Sequence, residues 1–153
     1  MFRRSLRYLP QIIATALIIT GIVSLAQPTS TYAGSKLLSV PLYGQAASNW
    51  CWVGADKMIM AYRGTNPTQC DIASKVYPNC PNNTATIDQA ATALGAYGFQ
   101  RTVVYQSLGT AEVPNEINAN RPMWARWQWC SGGGHAVVIT GYESDAYGSA
   151  TRV

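Results

Sequence analysis

The stretch from Cys51 to Tyr62 constrains this chain most, because its apolar residues keep helical time. Trp52, Ala55, Ile59 and Tyr62 recur at helical spacing, with Asp56, Lys57 and Arg63 off that stripe. Gly64 follows at the position where helices commonly end. The spacing predicts a helix that begins at a cysteine. A second helix is predicted from Thr86-Ile87-Asp88-Gln89, a hydroxyl followed three residues later by Gln in capping-box form. Ile87, Ala90, Ala91 and Leu94 supply its buried stripe, and Gly98 closes it.

Between these helices, residues 65–85 are broken by Pro67, Pro78, Pro81 and several Asn. They read as loop with one helical turn at Asp71–Val76, flanked by Cys70 and Cys80. Residues 34–50 read as an extended lead-in. Arg101–Gln106, rich in Val and Tyr, is expected to be a strand. A short helix is expected at Glu112–Ala119, ended by Asn120-Arg121-Pro122. Met123–Trp129 and His135–Tyr142 read as strands around a Ser131-Gly132-Gly133-Gly134 turn, with Ala136 to Ile139 apolar throughout and expected to be buried on both faces. Helices precede strands, so the expected fold class is α+β with an antiparallel sheet. The 153 residues suffice for one domain and no internal repeat is visible.

Residues 1–33 read as a secretion signal. A basic start, Arg3-Arg4-Ser5-Leu6-Arg7, precedes the uncharged apolar run Ile12–Ala26. Ser24-Leu25-Ala26 and Thr31-Tyr32-Ala33 both offer small residues for cleavage, and cutting after Ala33 is preferred. The alternative is a retained anchor, but a spanning helix needs about 20 apolar residues and this run is shorter. The mature domain is then 34–153, secreted or held in the cell envelope, touching membrane only transiently through its signal. Arg3, Arg4 and Arg7 also carry three units of the formal net charge of +4. The remaining domain is almost neutral, which disfavours nucleic acid as a partner.

Export changes how Cys51, Cys70, Cys80 and Cys130 are read. In an oxidising compartment an even count invites two disulfides, with three connectivities open. No CxxC or Cys/His spacing of a zinc site is present, so no metal or other cofactor is expected. His135 is the one histidine, and any imidazole chemistry runs through it. On local context alone it also fits a surface residue at a hairpin. Cys51 at a helix N-terminus sits where unpaired N–H groups and the macrodipole favour a thiolate, though a half-cystine or a small buried residue fits equally well. Gln45, six residues upstream, could offer its amide to an oxyanion forming at the sulfur, with the backbone N–H of Cys51 as second donor. Alone it is an ordinary loop glutamine.

The conjunction is more specific. Gln45, Asn49-Trp50-Cys51-Trp52 opening a helix, and Gly133-Gly134-His135-Ala136-Val137-Val138-Ile139-Thr140-Gly141-Tyr142 resemble the papain-like cysteine peptidase superfamily. The similarity is closer to its compact bacterial branch, which includes bacteriocin-leader-processing-like and staphopain-like domains. It runs from about Val40 to Tyr142. The resemblance implies Cys51 as nucleophile, His135 as general base and acid, and Gln45 as oxyanion donor. Trp52, Trp129 and Gly134 are then candidates for the substrate cleft. Trp124, Trp127 and Trp129, on one predicted strand, are otherwise read as core and sheet-face packing. With Cys51 a free thiol, Cys70 and Cys80, enclosing a short proline-containing loop, are the favoured disulfide, and Cys130 is expected to be buried.

Two departures accompany the resemblance. Such enzymes orient the histidine with an Asn or Asp on the strand after the His strand. Here Glu143, Ser144 and Asp145 follow in what reads as a turn, with Asp145 a weak third-member candidate. The next strand is expected near Val153, so the sequence reads as truncated before the orienting residue. Between Ala33 and Val40 there is also no room for a folded inhibitory pro-region, which leaves control to redox state, substrate access or a separate protein inhibitor. The expected activity is a secreted cysteine endopeptidase acting on a peptide or protein substrate. The alternatives are a thiol amidase on cell-wall peptides and a non-catalytic secreted module on the same fold. Asn82-Asn83-Thr84 is a formal glycosylation sequon.

Overall fold

A computed structural model describes residues 34–109, 111–144 and 150–152. The predicted signal segment, residues 1–33, and Asp145 lie outside the described residues. Four helices, α1 (Cys51–Tyr62), α2 (Gln69–Ala73), α3 (Ile87–Ala96) and α4 (Glu112–Asn118), follow a short first strand β1 (Ser35–Leu37). The strands β2 (Met123–Gln128), β3 (Gly134–Ile139), β4 (Gly141–Ser144) and β5 (Ala150–Arg152) come after them. The α+β order expected from the sequence is the order observed. Among the described residues no helix is long and apolar enough to cross a membrane.

Helix α1 is the centre of the molecule. Helices α2 and α3 and strands β2 and β3 all pack against it, and Trp52, Val53, Ala55, Asp56, Ile59 and Met60 are buried. Ile72 and Ala73 of α2, Ala90, Ala93 and Leu94 of α3, and Ala136 of β3 complete this core. A second cluster joins Leu38, Val113 and Ile117 to Tyr142, with Met123 and Ile139 packed on it. The β2–β3 hairpin separates the two. In its antiparallel ladder Trp124 lies opposite Val138 and Met123 opposite Ile139. Alternation sends Trp124 and Val138 to the α1 core, and Met123 and Ile139 to the second cluster.

Several expectations are corrected here. Arg101–Gln106 forms no strand. Its valines and tyrosine have strand propensity, but no neighbouring strand offers a ladder, so the segment lies against α3 instead, with the Tyr105 hydroxyl on the Asp88 carboxylate. The single strand His135–Tyr142 is two strands in different sheets, broken at Thr140. Beyond the break, β4 pairs with β1 and β5, and β2 pairs with β3 alone. Glu143 and Ser144, read as turn, belong to β4, where Glu143 faces Ser35 and Arg152 across the ladders. The strand expected near Val153 is β5, inside the chain.

Burial on both faces does not hold for the hairpin, where Ala136 is buried but Val137, Val138 and Ile139 are only half-buried. At its tip His135 is exposed, as are Trp127 and Trp129, at 59% and 49%, because no element covers that end. Cys130, expected to be buried, is an exposed free thiol for the same reason. Asp56 was placed off the buried stripe and is instead fully enclosed, since α1 is wrapped by partners on nearly every side. Cys70 and Cys80 are joined by a disulfide across ten positions of sequence. Such a link stabilises by about 3 kcal/mol, chiefly by restricting the unfolded chain.

Asp56 makes the fold sensitive to pH. Neither carboxyl oxygen has a hydrogen-bond partner, and burial pushes its pKa well above the usual carboxylate range. The native state holds this proton where the unfolded chain has released it. The stabilisation is therefore complete below pH about 4 and is lost as pH rises toward the native value, at up to about 1.4 kcal/mol per pH unit. Asp56→Asn removes the ionisation. Urea unfolding at a series of pH values should show the variant gaining on the native sequence as pH rises; parallel curves would contradict this.

Candidate active site

The tip of α1 differs from the starts of α2 and α3 in how its backbone is satisfied. Helices α2 and α3 open with complete capping boxes, Thr68 with Asp71 and Thr86 with Gln89. Helix α1 opens at Cys51 with Trp50 in the cap position, no side-chain cap and no acidic residue in its first turn. The cap role is closed to Trp50 because its indole is buried and donates to the Pro81 carbonyl at 3.0 Å. Two residues on, the Trp52 indole donates to the Asn83 carbonyl at 3.0 Å. The first N–H groups of α1 have no intrahelical partner, and at Cys51 they lie where an anion would be stabilised.

Two side-chain amides hold the loop that leads to Cys51. The Gln69 amide spans the residues on either side of Gln45, accepting from the Ala46 N–H at 2.8 Å and donating to the Gly44 carbonyl at 2.7 Å. Asn82 accepts from the Asn49 N–H at 2.9 Å and donates to the Ser48 hydroxyl at 2.9 Å. The Asn49 amide returns a bond to the Asn82 carbonyl at 2.9 Å. The sequon asparagine is thus engaged within the fold. Gln69 directly precedes Cys70 and Asn82 closely follows Cys80, so the disulfide ties the two supports together. Gln45 itself is exposed and donates through Nε2 to the carbonyls of Ala47 and Ser48, at 2.9 and 2.8 Å.

The β2–β3 hairpin brings His135 to the same place. Gly132 and Gly133 turn the chain with φ of +90° and +76°, a conformation glycine adopts with little strain. Gly134, the next residue, faces Gln128 in the ladder, and a Cβ there would run into the Trp127 carbonyl. Only glycine fits so close an approach, and it starts β3 one residue before the imidazole.

Cys51 and His135 line one cavity of about 440 Å³. Trp52, Tyr77 and Trp124 form its aromatic walls, and Thr84, Thr86, Gln89 and Arg126 give it polar edges. Gly134 also lines it, whereas Trp129 stands outside on the hairpin flank. Trp124, reached by strand alternation, occupies the wall where Trp129 was anticipated. Gln45 belongs to the adjoining loop and is not a lining residue. Among the described residues no side chain hydrogen-bonds the His135 ring, and no cluster of His, Cys, Asp and Glu could hold a metal ion.

With a helix-tip cysteine and a hairpin histidine facing one cleft, comparison with known families becomes decisive. The family model described as papain-like cysteine protease AvrRpt2 matches residues 35–150. The chain belongs to this family. No curated protein and no solved structure gives a significant match. In this member of the papain-like cysteine protease family the mixed helices and antiparallel sheets form the expected α+β fold, with Cys51 at the start of the helical core and His135 in the sheet.

Arg126, Gln89, Tyr77 and the two threonines were not singled out from sequence. For Arg126 the signal was present: period-two alternation places it on the Trp124 face, and the glycine turn sets it opposite Ala136. Gln89, Thr84 and Thr86 come from a loop and helix start that only tertiary packing brings alongside β3.

The amide supports give a local prediction. Gln69→Leu removes the acceptor for the Ala46 N–H, and a net hydrogen bond of about 1 kcal/mol corresponds to about fivefold. Amide hydrogen exchange at Ala46 should accelerate about fivefold or more, while the interior of α1 keeps its protection. Unchanged exchange at Ala46 would show that Gln69 does not hold the loop.

Proposed function

We propose that this protein is an exported cysteine endopeptidase. The observation that carries the proposal is the shared cleft of Cys51 and His135. The Cys51 thiol passes its proton to His135 and its sulfur attacks a peptide carbonyl carbon, forming a C–S bond as the C=O π bond opens to a tetrahedral oxyanion. The backbone N–H at the uncapped start of α1 stabilises that oxyanion. Gln45 is the second donor, and its amide exchanges one of its two local carbonyl bonds for the oxyanion. His135 protonates the departing amine as the C–N bond breaks, leaving a thioester. It then takes a proton from water, whose attack on the thioester releases the acid and restores the thiol. Asp145 is the candidate for orienting the ring, from the segment that follows β4.

Export is supported by the basic and apolar character of residues 1–33 and by the Cys70–Cys80 disulfide, a bond that persists in oxidising compartments. The substrate is a peptide or protein.

Casein hydrolysis by the purified chain tests the assignment. Cys51→Ala and His135→Ala should each lower turnover by about a thousandfold or more, because nucleophile and base act as a unit. Turnover that survives both substitutions would remove the pair from the mechanism. Release of stem peptides from purified cell wall, with casein untouched, would reassign the same chemistry to an amidase.

A further inference from the structure

We propose that the cleft selects peptides bearing a carboxylate close to the scissile bond, and that Arg126 reads it. The inference deepens the endopeptidase assignment and rests on it. Apart from the Cys51 and His135 pair, Arg126 is the one charged side chain among the residues that line the cavity. The other walls are the aromatics Trp52, Tyr77 and Trp124 and the neutral Thr84, Thr86 and Gln89. A buried or paired arginine would be structural. This one is exposed, its guanidinium makes one long contact, from Nη2 to the Gly133 carbonyl at 3.4 Å, and no described carboxylate pairs with it.

Its position puts it on the cleft wall shared by Trp124 and Ala136. Arg126 stands opposite Ala136 in the ladder. A Cβ built on Gly134 would lie 2.9 Å from its Nε, so the arginine lies across the glycine that precedes His135. The ligand that matches a planar, permanently charged fork with open donors is a carboxylate, held by two parallel hydrogen bonds. Asp or Glu within the first residues on either side of the scissile bond supplies one, and a free C-terminus a few residues beyond it supplies the same group.

Matched fluorogenic peptides that differ only in the residues flanking the scissile bond, Glu, Gln or Lys on one side at a time, decide the matter with the full chain. The native protein should favour Glu over Gln by about tenfold in kcat/KM, with Lys below both, and salt should narrow the gap. Arg126→Gln should level the series, and Arg126→Glu should place Lys first. A preference for a free over an amidated C-terminus that vanishes in Arg126→Gln also supports the proposal and locates the carboxylate at the chain end. Equal rates across the native series, or a Glu preference that persists in Arg126→Gln, overturns it.

The same peptides are titrated against Cys51→Ser by fluorescence anisotropy, which separates recognition from catalysis. Glu-selective, Arg126-dependent binding without hydrolysis by the native chain would sink the endopeptidase assignment and leave the carboxylate site standing. Hydrolysis with charge-blind binding would do the reverse.

Discussion

The structure depends on the enclosure of one helix whose tip alone is left open. Helix α1 has partners along its whole length, so its side chains cannot splay and its position is set by packing rather than by its own propensity. At the N-terminal end this enclosure stops. Trp50 occupies the cap position without capping, and the backbone donors at Cys51 have no side-chain partner. The helix starts beside it carry full capping boxes. A rigid helix with an unsatisfied start is a fixed set of partial positive charges, the environment in which a sulfur anion and an oxyanion are both stabilised.

Rigidity at the tip comes from the loops around it. Gln69 and Asn82 hold the approach to Cys51 from two sides, and Pro81 and Asn83 accept from the indoles of Trp50 and Trp52. These four residues flank the Cys70–Cys80 disulfide. The bond that stabilises the fold therefore also ties down the loops beside the cleft, and the proposed mechanism needs this cysteine pair oxidised while Cys51 stays a thiol. Asp56 adds an opposing tension within the same helix, a buried carboxyl held neutral by its surroundings.

Legibility in the sequence followed the range of the forces involved. Helix α1 and the Thr86 capping box were readable because their signals are local: a spacing of apolar residues and a hydroxyl three positions from a glutamine. The pairing of Cys51 with His135 was readable through a resemblance carried by two short motifs. Arg101–Gln106 misled because strand propensity says nothing about whether a partner strand exists. His135–Tyr142 misled because an unbroken apolar run hides the point at which a chain changes sheets, here Thr140. Asp56 misled because a stripe argument assumes that one face of the helix meets water. The amide supports and the approach of Thr84, Thr86 and Gln89 to β3 arise from contacts between distant segments, and no local pattern announces them.

The most direct test of the account is chemical bridging of sulfur and imidazole. Dibromoacetone has two electrophilic carbons a few ångströms apart, so it joins a thiol to an imidazole only where the fold has brought them together. Peptide mapping of the folded protein should show Cys51 and His135 linked through the reagent, and the link should be absent when the protein is treated in urea. A single-ended adduct on Cys51 with His135 unmodified, or a bridge from His135 to Cys130, would contradict the shared cleft on which the proposed mechanism rests.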